Sequence, residues 1–94
     1  MQVWIVKADA VAESGGPEAM RQVLLGFARA PAGAQAEAVV TRGLERLGWR
    51  PIAVQEAGPL DPGALEAMEP AFQDAYETAI TGRIGLILYR GTLH

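Results

Sequence analysis

The stretch from Ala34 to Ala57 constrains the fold most, because one short run specifies a helix, its stop and the strand that follows. Ala36, Val40, Gly43, Leu44 and Leu47 recur at spacings of three and four, so a helix over Gln35–Leu47 sets them on one side. Glu37 near its start and Arg46 near its end suit the helix macrodipole. Gly43 lies within the apolar stripe, where it costs helix propensity but lets the backbone approach a sheet closely. Gly48 is the expected left-handed stop. Trp49–Ala57 then reads as a strand with Ile52 and Val54 pointing one way. Pro51 cannot donate to a ladder, which places the beginning of this strand at a sheet edge.

The flanking segments look like what is needed to bury that unit. Val3-Trp4-Ile5-Val6 is β-branched and aromatic, hence a strand, and Lys7 and Asp9 alternating with Ala8 and Ala10 leave its far end half buried. Glu13-Ser14-Gly15-Gly16-Pro17 is a turn. Residues 18–30 admit two readings. As a strand, Val23, Leu25 and Phe27 share a face; as a helix, Met20, Leu24 and Phe27 align. The strand, forming a hairpin with the first, is favoured because Gly26 would weaken a helix by up to ~1 kcal/mol.

Asp61-Pro62 is a helix start, with an acceptor side chain at the cap and proline at the first helical position. Leu65, Met68, Phe72, Tyr76, Ala79 and Ile80 continue as one apolar stripe. Pro70 interrupts the helix without breaking that stripe, so a kink near Glu69 or two abutting helices are expected. Gly82 ends the second piece. Ile84–Tyr89 is apolar on both faces, the pattern of a strand with neighbours on each side and cover above and below.

The order is therefore β-β-α-β-α-β within a single α+β domain over 1–94. If both helical crossovers obey the usual handedness, both helices lie on one face of a four-stranded sheet. This is a two-layer sandwich, similar in general shape to ferredoxin-like plaits; the resemblance is one of architecture. Such a sheet would leave some of Trp4, Val6, Ile87 and Tyr89 on an uncovered face. Self-association follows, with a two-fold homodimer as the commonest solution.

Composition narrows the chemistry. The hydrophobic fraction is 50%, but 17 of those residues are alanine, so larger apolar side chains must be concentrated on particular faces. There is no cysteine, which excludes disulfides, thiolate metal sites and cysteine nucleophiles. No apolar run approaches the ~20 residues of a membrane span. The N-terminal Met-Gln-Val-Trp-Ile-Val-Lys lacks signal-peptide features, and a cytoplasmic protein is expected. A net charge of −3 argues against nucleic-acid binding. The single histidine is the last residue, His94, where an imidazole has no fixed geometry for base catalysis or metal ligation. Ser14 has no nucleophile-elbow context, and its glycine-rich loop lacks the lysine and spacing of a phosphate cradle. Asp9 and Glu56 read as structural or surface carboxylates. No metal or cofactor is implied.

Two groups of residues remain as candidate sites. Glu66, Glu69, Asp74 and Glu77 cluster on the second helix, within a stretch from residue 51 to 82 that holds no basic residue. This face would be solvated or would dock a basic protein. Trp4, Phe72, Tyr76 and Tyr89 would line any cavity between the sheet and the kinked helix. Arg42, Arg46 and Arg50 recur every four residues and are first of all solvated charges. The expectation is a non-enzymatic domain that self-associates and binds another protein. The alternative is a small-ligand module, or an enzyme whose chemistry is carried by its substrate or a cofactor.

Overall fold

A computed structural model of the protein describes residues 2–13, 21–82 and 84–88, apart from the side chains of residues 62, 65, 66 and 88. The elements are β1 (Gln2–Ala12), β2 (Gln22–Ala30), α1 (Gly33–Arg46), β3 (Trp49–Pro59), a 3-10 helix (Pro62–Ala67), α2 (Pro70–Ile80) and β4 (Gly85–Leu88). The β-β-α-β-α-β order is the expected one, and 22–30 is a strand, paired antiparallel with β1 from Gln2↔Ala30 to Ala10↔Gln22. The turn between them falls outside the described residues, as do Tyr89 and His94.

The four strands form one sheet in the order β3-β1-β2-β4, with every neighbouring pair antiparallel. The closing strand, expected between two neighbours, pairs with β2 alone among the described residues. Its two apolar faces reflect cover from helices rather than lateral neighbours. Leu86 packs into the core beneath α1 and Ile87 into the core beneath α2.

That double cover corrects the two-layer expectation. Alternate residues of a strand point to opposite faces, and paired residues share one. Val6, Ala8 and Ala10 of β1 lie on the same face as Leu24, Ala28 and Ala30 of β2, and these pack against Ala36, Val40 and Leu44 of α1. Val3 and Ile5 lie on the opposite face with Leu25 and Phe27, packed against Phe72, Ala75, Tyr76 and Ala79 of α2. The helices thus cover opposite faces, in an α/β/α arrangement.

The reason is strand sense. β2 and β3 are both antiparallel to β1, hence parallel to each other, so α1 is a true crossover governed by handedness. β4 is antiparallel to β2 and so also to β3. The rule says nothing about a helix joining antiparallel strands, and α2 takes the face that α1 leaves open. The uncovered apolar face invoked for self-association is absent at Val6, which is fully buried, and at Ile87, which lies in the core beneath α2.

Local signals behave as their chemistry dictates. Gly48 takes φ +89 just past α1, and Gly82 takes +93 just past α2, both in the left-handed region that favours glycine. The Asp61 carboxylate accepts a hydrogen bond from the Gly63 amide at 2.9 Å, the cap bond expected at this helix start. Pro70 ends the first piece. The 3-10 helix and α2 abut across Met68 and Glu69, and the Glu69 carbonyl accepts from the Phe72 amide at 2.9 Å. No helix among the described residues is long and apolar enough to cross a membrane.

Candidate functional site

α2 turns its small and aromatic residues inward and its acids outward. Ala75 and Ala79 are buried against the sheet, while Phe72 meets Phe27 edge-on, with ring centres 5.8 Å apart and planes at 83°. Phe27 is fully buried, so the helix is anchored by its inner face. On its outer side Asp74 and Glu77 are exposed, and so is Glu69 at its start. Asp74 and Glu77 line an open hollow of about 730 Å³ together with Thr78 and Thr81. Both threonines spend their hydroxyls locally: Thr78 donates to the Asp74 carbonyl at 3.0 Å and Thr81 to the Thr78 carbonyl at 2.7 Å. The hollow's free polar character is therefore carboxylate. Glu66 belongs to the preceding 3-10 helix, and its side chain lies outside the described set.

None of Glu69, Asp74 and Glu77 is in an ion pair among the described residues. The one ion pair there joins Arg21 and Asp9 at 3.6 Å, on another part of the sheet. Three anions on a helix with no ion-paired cation among the described residues repel one another modestly, and a docking cation relieves that repulsion.

The aromatic candidates do not converge. Trp4 lies on the α1 side of β1, where its indole N–H donates to the Ala30 carbonyl at 3.0 Å and its ring packs beside Gly33 at the start of α1. Phe72 and Tyr76 pack on the α2 side. The sheet stands between them, so these three cannot line one pocket. The alternation of β1 decides this: residue 4 faces opposite to residues 3 and 5. Tyr89 lies outside the described residues.

Of the two carboxylates read as structural or surface groups, Asp9 is the structural one. It is buried at 8% exposure in the middle of the sheet, where the Gln55 side-chain amide donates to it and Arg21 lies alongside. It is satisfied by partners from two other segments, as a buried carboxylate must be. Register pairs Asp9 with Ala53 and Glu56 with Lys7, so the two carboxylates are not opposite each other. Arg42 and Arg46 share a groove of about 440 Å³ with Val39, Gly43, Leu47, Gly82 and Ile84, whereas Arg50 lies on β3, on the α2 side of the sheet. Among the described residues no group of three His, Cys, Asp or Glu side chains could hold a metal ion.

No protein-family model matches the chain, and no match to it is found among curated proteins or among solved structures.

Proposed function

We propose that the protein is a non-enzymatic binding domain that docks a cationic segment of another protein on the outer face of α2. The observation that carries this reading is the exposed set Glu69, Asp74 and Glu77, held on a helix whose other face is pinned to Phe27, with no ion-pairing partner among the described residues. Preorganised like charges of this kind mainly speed encounter and select partners by sign, and they are weakened by salt. The hollow beside Asp74 and Glu77 gives a basic side chain room to lie along the helix.

The test compares two triple variants of equal net charge. E69K/D74K/E77K reverses the proposed face, while E13K/E37K/E45K reverses three acids elsewhere. Binding of a Lys/Arg-rich peptide is followed by fluorescence anisotropy across a salt series. The first variant should lose binding, with affinity down by about tenfold or more, corresponding to ~1.4 kcal/mol. The second should retain most of it. Equal loss in both would reduce the effect to net charge and remove the docking face.

A further inference from the structure

β3 is an edge strand of eleven residues, and among the described residues no strand pairs with its outer side. Its middle, residues 52–56, is exposed throughout, with Ile52 at 43% and Val54 at 36%. An exposed apolar edge invites pairing with another chain unless something in the strand prevents it. Here the register with β1 passes over Gln55 between Lys7 and Ala8, and over Ile52 between Asp9 and Ala10. Such bulges bend a strand and spoil a regular ladder with a straight partner.

The same bulges fix which residues share a face. Through their partners on β1, Trp49, Pro51, Val54, Ala57 and Pro59 lie on the α1 side, whereas Arg50, Ala53, Glu56 and Gly58 lie on the α2 side. Gln55 reaches Asp9 and so also belongs to the α2 side. The α1-side set is symmetric about Val54: Pro51 and Ala57 flank it at equal distance, and so do Trp49 and Pro59. A two-fold axis through Val54 therefore brings α1-side residues opposite α1-side residues. It also brings Arg50 opposite Gly58, Ala53 opposite Gln55 and the bulge at Ile52 opposite Glu56. A straight strand offers no such match, but a second copy of this strand does.

We propose that β3 pairs antiparallel with β3 of a second copy about Val54, joining two sheets into one continuous sheet. Cross-strand partners then share faces, as a ladder requires, and the two copies contribute the same patch, as a two-fold interface must. Val54 meets its copy at the axis. Arg50 comes diagonally beside Glu56 of the second copy, within reach of a long side chain, and symmetry makes two such pairs. Both residues are exposed and both lie on the α2 side. The two bulges then act as a filter: they disfavour a straight foreign strand, whereas the two-fold sets the faces assigned by the register with β1 opposite like faces of the second copy. This interface is independent of the acidic face of α2.

Sedimentation velocity on the full chain over a concentration series tests the interface. The wild type should dimerise. V54K, which sets two like charges at the axis, should raise the dimer dissociation constant about a hundredfold. R50E and E56R should each raise it about tenfold, and an equimolar mixture of the two should recover the dimer, because in the mixed dimer one pair joins the two reversed charges and the other keeps the original Arg50–Glu56 attraction. Circular dichroism checks that each variant is folded. If E56R fails that check, V54K and R50E decide alone. A wild type that stays monomeric at every concentration, folded V54K and R50E proteins that dimerise like the wild type, or a mixture of folded variants that does not recover, would each overturn the interface.

Discussion

Ala8, Ala10, Ala28 and Ala30, with Val6 and Leu24, are the buried residues that the strands set beneath α1, whereas beneath α2 the strands and the segment after β3 set Val3, Leu25, Phe27 and Leu60 with half-buried Ile5 and Ile87. A layer of methyl groups lets a helix approach closely but leaves little room for adjustment, since each contact comes from the backbone and its first carbon. A layer of large side chains concentrates stability in a few groups. The alanine-rich composition that looked like a weak core is thus used mainly in the strands beneath α1, and on the α2 side by the helix itself through Ala75 and Ala79. Its stability is spread over many small contacts, and its tolerance is set by a few glycines.

Truncating the centre of the α2 side should have the largest effect. Phe27→Ala removes a fully buried ring and its edge contact with Phe72, and should cost about 3–5 kcal/mol in urea unfolding, with m unchanged. A cost below that of an ordinary surface substitution would mean that the α2 side does not concentrate its stability as described. Gly85→Ala comes next. The new Cβ would overlap the Ala75 carbonyl oxygen and lie 2.7 Å from its Cα, and these are backbone atoms of α2 that cannot swing aside. About 2–3 kcal/mol should be lost as β4 and α2 separate. Hydrogen exchange should quicken first in those two elements.

These glycines show how far the sequence could be read. Element order was legible because each segment carried its own period and its own breaker, from the stripe Ala36-Val40-Leu44 with Gly48 after it to the Asp61-Pro62 start. The face taken by α2 was not legible. It depends on the sense of β4 relative to β3, a relation between strands 26 residues apart at their nearest ends that neither strand's own residues express. The edge position of β4 was hidden for a related reason, since apolar residues on both faces look alike whether the cover is lateral or vertical. On the candidate site, the acids of α2 were legible because helical period and charge suffice to set them outward. The pocket was not: Trp4 was grouped with Phe72 and Tyr76 as an aromatic, and the parity of β1 separates them. Asp9 could be read only as a structural or surface carboxylate, because its partner Gln55 is 46 residues away.

Two glycines on the α1 side sharpen the contrast further, and they should respond differently. A Cβ at Gly26 would lie 2.5 and 2.9 Å from the two terminal carbons of Val40, which is almost fully buried and has only one rotatable bond. Relief needs a shift of α1 as a whole, so Gly26→Ala should cost about 1–2 kcal/mol, even after the gain of restricting the unfolded chain. At Gly43 the obstructing atom is the terminal methyl of Ile84, a half-buried side chain beside an open groove, and it can turn away. Alanine there also recovers up to about 1 kcal/mol of helix propensity. Gly43→Ala should therefore fall within about 0.5 kcal/mol of the wild type, because the propensity gain offsets the displacement of Ile84. If Gly43→Ala proved the costlier of the two, α1 would be held by its contact with the segment before β4 rather than by its approach to the alanine layer. The division between the two sides of the sheet would then have to be redrawn around Ile84.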